Sequence, residues 1–112
     1  IGAQLDLPVH VLDLSTDFRR EVVDYFAATY LAGQTPNPCV VCNPAIKFGV
    51  LLRRAEEMGA ARLATGHYAG VRRGPDGRCR LFKGGDARKD QSYFLARLTQ
   101  AQLARACFPW PR

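Results

Sequence analysis

Hydrophobic and polar residues follow two different periods in the first third of the chain. The run PVHVLDL, residues 8–14, is short, apolar and rich in β-branched residues, which predicts a strand buried on both faces. Helical spacing begins after residues 15–17, a sequence of typical N-cap types, and Gly33 is placed to end this helix. One face of the helix carries Phe18, Val22, Tyr25, Phe26 and Thr29.

Helical spacing returns after Pro44 in a second predicted helix. Gly59 is placed at its C-terminal end, and one face carries Phe48, Leu51, Leu52 and Ala55. Residues 63–64 then predict a second buried strand, which stops at the sequence TGH. A strand, two helices and a strand in this order predict a parallel βαβ crossover that pairs residues 8–14 with residues 63–64.

The last third of the chain has a different pattern. Two alternating segments flank the sequence GPDG at residues 74–77, which predicts a β-hairpin. Helical spacing returns at Tyr93, Phe94 and Leu98, and Thr99 with Gln102 forms a predicted capping box for a last short helix. The pattern as a whole predicts an α/β fold.

Composition and charge narrow the class of protein. Hydrophobic residues make up 47% of the 112 residues, which is enough for a packed core. The net charge is +6, which favours a polyanionic partner such as RNA, although an arginine-rich solvated surface gives the same count. No apolar run approaches the roughly 20 residues of a membrane helix, and no secretory signal opens the chain. The expected location is therefore the cytoplasm, without a membrane partner.

The sequence TPNPCVVCN, residues 35–43, carries the most informative pair of side chains. Cys39 and Cys42 are spaced to bind one metal ion or each other. A closed zinc site is disfavoured, because the other cysteines, Cys79 and Cys107, are isolated and the chain has 2 histidines. Cys42 is predicted to lie just before a helix start, where the helix dipole lowers a thiol pKa. Two inert core cysteines remain the alternative.

Two further segments carry candidate polar groups. Gly66 and His67 follow the predicted strand at residues 63–64, and ligands bind at the carboxyl ends of parallel strands in open α/β sheets. A turn glycine and a structural histidine are the alternative there. In the segment RKDQ, Lys89 is suited to phosphate, and Asp90 and Gln91 to base edges or sugar hydroxyls. Taken alone, this segment is also compatible with a solvated helix start.

Together these segments resemble the bacterial tRNA-specific 2-thiouridylases. The resemblance rests on GQTPNPCVVCNPAIKF (residues 33–48), ATGHYA (residues 64–69), KDQSYFL (residues 89–95) and FPW (residues 108–110), in that order. It implies a partial Rossmann-like nucleotide-binding domain of the pyrophosphatase-loop type, similar to the adenine nucleotide alpha hydrolases. Residues 1–70 are expected to form the C-terminal half of that domain, and residues 71–112 a hairpin and helical segment that leads to the next domain.

The resemblance also implies an activity and its residues. Members of the family adenylate the C2 oxygen of the tRNA wobble uridine with ATP, with Mg²⁺ expected, and then transfer a persulfide sulfur received from a sulfur-donor protein, through a disulfide. Cys42 is the implied nucleophile. The implied contacts are Asn37, Pro38 and Cys39 with the target base, Gly66 with ATP, and His67, Lys89, Asp90 and Gln91 with tRNA.

The chain departs from the family pattern at three points. Cys39 occupies a position where many members carry an aspartate, so that Cys39 and Cys42 are also candidate ligands of a [4Fe–4S] cluster. The ATP-binding sequence of the form S-G-G-x-D-S is absent from the 112 residues. The persulfide-forming cysteine is expected outside them, and neither Cys79 nor Cys107 is assigned to that role. We therefore expect the isolated chain to be inactive.

Two other functions compete with this one. Another pyrophosphatase-loop enzyme would ligate or amidate a small molecule with ATP. A non-enzymatic module would use Cys39 and Cys42 only to hold a metal ion.

Overall fold

The first long helix spans residues 15–31 in a computed structural model that describes residues 1–110 of the chain. It consists of an α-helical turn at Ser15–Phe18, a π-helical stretch at Arg19–Val23 and a further α-helical part at Asp24–Leu31; we call the whole helix α1. The Asp13 carboxylate fixes its start by accepting hydrogen bonds from the Ser15 N–H at 2.9 Å and the Ser15 hydroxyl at 2.6 Å. Gly33 follows with φ of +74°, so the predicted helix end is confirmed.

The second long helix, α2, begins earlier than predicted. It runs without interruption through Pro38–Cys42 (α), Asn43–Leu51 (π) and Leu52–Glu57 (α). Asn37 is its N-cap, because the Asn37 side-chain oxygen accepts a hydrogen bond from the Val40 N–H at 3.3 Å. The start predicted after Pro44 was therefore wrong. The cap asparagine and a proline in the first turn are sufficient to start the helix at Pro38.

Proline is accommodated inside α2 by the wider winding of its central part. Pro44 lies within the π-helical stretch Asn43–Leu51, whose hydrogen bonds close at i→i+5 instead of i→i+4. A side chain at Gly49 would place its Cβ 2.7 Å from the Pro44 carbonyl oxygen. This winding therefore requires glycine at position 49. Gly59, with φ of +89°, follows the end of α2 as predicted.

The parallel pairing differs from the prediction. Strand β1, Leu63–Ala64, pairs in parallel with strand β4, Ala106–Cys107, near the other end of the chain. Residues 8–14 form no strand, and Val9 and Val11 are 70% and 93% exposed. The predicted crossover between residues 8–14 and 63–64 was wrong, since a buried strand needs neighbours and no strand among residues 1–110 pairs with this run.

The C-terminal third contains the predicted hairpin and helix. Strands β2, Ala69–Arg73, and β3, Cys79–Lys83, pair antiparallel, and Gly77 has φ of +77° in their loop. Helix α3, Gln100–Arg105, begins with the predicted Thr99–Gln102 capping box. The helical spacing before it yields only a single 3₁₀ turn, Ser92–Leu95. A second 3₁₀ turn occupies Ala3–Leu5.

The hydrophobic core lies between α2, the hairpin and α3. Its buried members are Phe48, Ala69, Cys79, Leu95, Leu98, Leu103 and Ala106. One residue of α1, Val22, is also buried, whereas Phe18 and Phe26 are 42% and 41% exposed. The α/β class is confirmed by this combination of helices with a parallel and an antiparallel strand pair. Within residues 1–110, no helix has both the length and the apolar composition needed to cross a membrane.

Candidate functional site

Two adjoining cavities lie where α2 meets the end of β1. The first, which we call the thiol cavity, has a volume of about 160 Å³ and is lined by Cys39, Cys42, Asn43, Lys47, His67, Gln91 and Phe94. The second, the strand-end cavity, has a volume of about 420 Å³ and is lined by Lys47, Leu51, Leu63, Ala64, Thr65, Gly66, His67 and Gln91. Lys47, His67 and Gln91 belong to both walls, so the two cavities adjoin and together form the candidate site.

The two thiols lie on the first turns of α2. Both are free, with Cys39 exposed and Cys42 half-buried. Burial raises the pKa of the Cys42 thiol, and the neighbouring Cys39 adds to this effect, whereas the positive charge of Lys47 opposes it. The lowered pKa expected from a helix start was therefore wrong. Cys42 is the last residue of the segment Pro38–Cys42, beyond the first turn, where the helix dipole acts most strongly.

Asn43 is the most buried polar residue in the thiol cavity wall. It is 2% exposed, and its side-chain amide donates hydrogen bonds to the carbonyl oxygens of Cys39 at 2.9 Å and Phe94 at 3.1 Å. These two bonds join α2 to the 3₁₀ turn at Ser92–Leu95. The Asn43 Oδ1 atom is buried and has no hydrogen-bond partner among residues 1–110.

His67 and Gly66 follow directly after β1. His67 is 8% exposed, its Nδ1 lies 2.7 Å from the Thr65 hydroxyl, and its ring packs edge-on against Phe108. Burial lowers the pKa of His67, and Lys47 lowers it further, so the imidazole is neutral at pH 7. Gly66 lines the strand-end cavity, and a Cβ added to it would lie 3.5 Å from the indole nitrogen of Trp110.

The segment Lys89–Gln91 is divided among three environments. The Gln91 side chain borders both cavities, and its Oε1 accepts a hydrogen bond from the Tyr68 N–H at 3.0 Å. The Asp90 carboxylate accepts hydrogen bonds from the Gly84 N–H at 2.8 Å and from the Ser92 hydroxyl at 2.9 Å. Those hydrogen bonds, with the Gly84 bond contributing most, lower the pKa of Asp90.

Lys89 belongs to an aromatic stack at the edge of the site. Its ammonium lies 5.6 Å from the ring centre of Tyr68, which stacks on Trp110 with ring centres 5.3 Å apart and an angle of 12°. Lys89 is also 4.0 Å from the Asp86 carboxylate. The Lys89 cation therefore lies against the Tyr68 ring and outside the lining of both cavities.

The structure brings together some of the predicted site residues and separates others. Cys39, Cys42, His67 and Gln91 line one cavity, and Gly66 lines its neighbour. Asn37 and Pro38 lie at the start of α2, outside the lining of both cavities, and Lys89 and Asp90 lie outside it as well.

Sequence reasoning missed Lys47 and Asn43. Both belong to the quoted segment GQTPNPCVVCNPAIKF, but an α-helical period does not place Lys47 beside Cys42. In a π-helix, residues five apart lie closer to one face than in an α-helix, and Lys47 follows Cys42 by five positions along such a stretch. Pro44 inside the helix was the one available signal of this winding.

An iron–sulfur cluster does not fit the donor set of the described residues. Within residues 1–110, no group of three or more histidine, cysteine or acidic side chains is placed to hold a metal ion. Cys79 is buried in the hydrophobic core, and Cys107 lies in β4. The C-x-x-C pair therefore supplies two thiols, whereas a cluster uses three or four.

The fold and the site define a class of protein. A glycine that follows a short parallel strand and borders a cavity is the arrangement found in α/β nucleotide-binding domains. The family described as tRNA methyl transferase HUP domain matches residues 1–112, and the chain belongs to this family. The predicted Rossmann-like nucleotide-binding fold is thereby confirmed.

Curated relatives are identical to this chain at about half of the aligned residues. The chain is 55% identical to a tRNA-specific 2-thiouridylase MnmA of Desulfosudis oleivorans over 97% of the chain and 30% of that relative. It is 52% identical to the protein of the same description from Geobacter metallireducens over 97% of the chain and 30% of the relative. It is 55% identical to the protein of the same description from Chlorobium phaeobacteroides over 96% of the chain and 30% of the relative. The chain thus spans about 30% of the length of these relatives.

Proposed function

We propose that the intact protein containing this chain is an ATP-dependent sulfurtransferase that converts the wobble uridine of tRNA to 2-thiouridine. The observation that carries this proposal is the common wall of the two cavities. Two thiols face one cavity, a strand-end glycine faces the other, and Lys47, His67 and Gln91 separate them. A reaction that joins nucleotide chemistry to sulfur chemistry needs both compartments in contact. The relatives described as tRNA-specific 2-thiouridylases support the same assignment.

The proposed reaction has two stages. ATP, as its Mg²⁺ complex, first adenylates the C2 oxygen of the uridine and releases pyrophosphate. The Cys42 thiolate then attacks the inner sulfur of a persulfide, forming a disulfide with the persulfide cysteine and releasing hydrosulfide. Hydrosulfide adds to C2, loses its proton, and AMP departs as the C2–oxygen bond breaks. A thiol reductant regenerates Cys42 from the disulfide.

The residues take separate roles in this scheme. Asn37, Pro38 and Cys39 border the target base, which must leave its stack to reach Cys42. Proline in the first turn favours a preformed base pocket, because less conformational entropy is lost on binding. Gly66 contacts ATP through its backbone. The remaining predicted contacts to tRNA are His67, Lys89, Asp90 and Gln91.

We retain the proposed division of the chain at residue 70. Residues 1–70 would complete the nucleotide-binding domain, and residues 71–112 would lead toward the next segment. The sulfur of the persulfide comes from a persulfide-carrying donor protein, and the cytoplasm is the expected location. The full reaction is assigned to the intact protein, because the 112 residues contain no S-G-G-x-D-S sequence.

The two competing functions have less support. A small-molecule ligase has no need of the positive field that accompanies a net charge of +6. A metal-binding module needs further ligands beside Cys39 and Cys42, and residues 1–110 supply none.

A cysteine-to-serine substitution tests the proposed function. In the intact protein, Cys42→Ser should abolish 2-thiouridine formation while ATP and tRNA binding persist, since a hydroxyl cannot attack a persulfide. Nucleoside analysis of the tRNA measures the product, and Cys107→Ser is the control for a thiol outside the two cavities. Wild-type thiolation by Cys42→Ser would refute the assignment.

Binding of tRNA should also weaken between about 50 and 200 mM salt, because phosphate contacts release counterions.

A further inference from the structure

Lys47 is a half-buried cation at the boundary of the thiol cavity and the strand-end cavity. Within residues 1–110, no carboxylate lies within ion-pair distance of its ammonium and no side chain or backbone group hydrogen-bonds to it. A partly desolvated charge without a counter-charge is unfavourable, and an anionic ligand offsets that cost. The side chain of Lys47 is therefore available to a ligand.

The walls of both cavities leave the charge of Lys47 uncompensated. Among the described residues, neither lining contains an aspartate or a glutamate. The two other residues shared by the cavities are the neutral His67 and the amide of Gln91, whose Oε1 is taken by the Tyr68 N–H. The Gln91 side-chain N–H groups remain as donors. A cation and amide donors at one boundary, with no acid among the described residues that line it, form an environment that favours an anion.

The charge of Lys47 acts on both sides of the boundary. It lowers the pKa of the Cys42 thiol on one side and that of His67 on the other. The π-helical winding of Asn43–Leu51 accounts for this position, since it turns the side chain at position 47 toward the face that carries Cys42.

We propose that Lys47 binds the phosphate that joins the activated base to AMP. This inference rests on the proposed function, in which the base occupies the thiol cavity and the nucleotide the strand-end cavity. In the adenylated uridine, one phosphodiester links the C2 oxygen to adenosine. That phosphate must lie between the two compartments, where Lys47 is the only lysine or arginine among the residues that line them.

The same contact assists departure of AMP. When sulfur has added to C2, the bond between C2 and the oxygen breaks, and its electron pair stays with the phosphate oxygen. The phosphate thereby gains one negative charge as AMP forms. A fixed ammonium beside that oxygen stabilises the developing charge. Lys47 should therefore contribute to AMP binding and to the sulfur-transfer step.

The test compares charge-removing and charge-keeping variants of the intact protein. Lys47→Met retains the apolar stem and removes the charge, and Lys47→Arg keeps the charge. Lys83→Met is the matched control, because Lys83 is exposed and lines neither cavity. We expect Lys47→Met to weaken AMP binding and to slow single-turnover thiolation by about 10- to 100-fold, as for loss of a charge-assisted hydrogen bond. Lys47→Arg should recover most of both losses.

The possible results separate this inference from the proposed function. Unchanged AMP affinity in Lys47→Met, or equal defects in Lys47→Met and Lys47→Arg at an unchanged melting temperature, would overturn the role of Lys47. Absence of 2-thiouridine with the wild-type protein, ATP, tRNA and a persulfide donor would instead overturn the proposed function. If Lys47→Met fails to fold, Lys47→Gln applies the same test with the same criteria.

Discussion

Replacing the Asn43 amide by a carboxylate tests the bond between α2 and the turn at Ser92–Leu95. Asn43→Asp exchanges an NH₂ group for an oxygen and hardly changes the shape of the side chain. In the native protein that NH₂ group donates to two carbonyl oxygens at 2.9 and 3.1 Å. The substituted oxygen would instead face both carbonyls with no proton to share, at a position only 2% exposed to solvent.

The magnitude follows from the two bonds and the buried charge. Each lost hydrogen bond removes about 0.5–1.5 kcal/mol, and leaving the Phe94 carbonyl without its donor costs about 1–3 kcal/mol. The Cys39 carbonyl retains a backbone donor, the Asn43 N–H, so it adds little. Burial of an unpaired carboxylate adds to these losses. We expect Asn43→Asp to lower the free energy of unfolding of this region by about 3–5 kcal/mol at pH 7.

The loss should depend on pH in a defined direction. Burial without a donor raises the folded-state pKa of the introduced carboxyl above its unfolded value of about 3.9. The charge penalty is therefore complete above the folded-state pKa and shrinks by about 1.4 kcal/mol per unit as the pH falls below it. Below about pH 4 the carboxyl is neutral in both states, and its O–H donates to one of the two carbonyls, so only the loss of the other hydrogen bond remains.

Hydrogen exchange of the amides in residues 38–57 of the intact protein, corrected for intrinsic rates, measures this local stability. Asn37→Asp is the matched control, because aspartate is as good an N-cap as asparagine and its charge suits a helix start. A stability change below 1 kcal/mol for Asn43→Asp, or the same loss at pH 5 as at pH 8, would refute the assigned geometry.

Two other predictions concern α3 and His67. Thr99→Ala should destabilise α3 by about 0.5–2 kcal/mol, because it removes the acceptor for the Gln102 N–H. Thermal unfolding measures this effect, and an equal loss in Thr16→Ala, at an exposed position, would contradict it. The pKa of His67 is lowered on folding, so the unfolded state binds more protons below about pH 6.5 and native stability falls there. His67→Gln should flatten the stability profile between about pH 7 and 5. A profile as steep as that of the wild type would contradict this, and His10→Gln is the exposed control.

The elements that the sequence predicted well are those whose signals are local. The capping box at Thr99 and the glycines at positions 33 and 59 act through neighbouring backbone groups, so their positions in the sequence determined the helix ends. The hairpin at residues 69–83 is local in the same sense. Strand pairing depends on distant residues, and β1 pairs with residues 106–107. Apolar periodicity cannot identify such a partner, and this explains the wrong pairing for residues 8–14.

The candidate site was only partly predictable for the same reason. Cys42, Gly66, His67 and Gln91, which line the two cavities, were predicted because short segments carry recognisable spacing and residue types. Lys47 was missed because its place in the site depends on a change of helical winding, which a period of 3.6 residues does not describe. The pKa of Cys42 was misjudged because burial by distant segments, including the Phe94 and His67 walls, outweighs the effect of the helix end.

A single helix, and not a loop, holds the thiol site. Prolines beside a C-x-x-C pair indicate a stiff loop, yet both thiols lie inside α2, which begins at Pro38. Because Cys39, Cys42, Asn43 and Lys47 all belong to this one helix, their relative positions are set by its winding. The Gln102 side chain also ties α3 to the π-helical stretch through the carbonyl oxygens of Pro44 and Phe48, at 2.9 and 3.1 Å. A change in α3 can therefore alter the spacing of thiol and lysine without touching either residue.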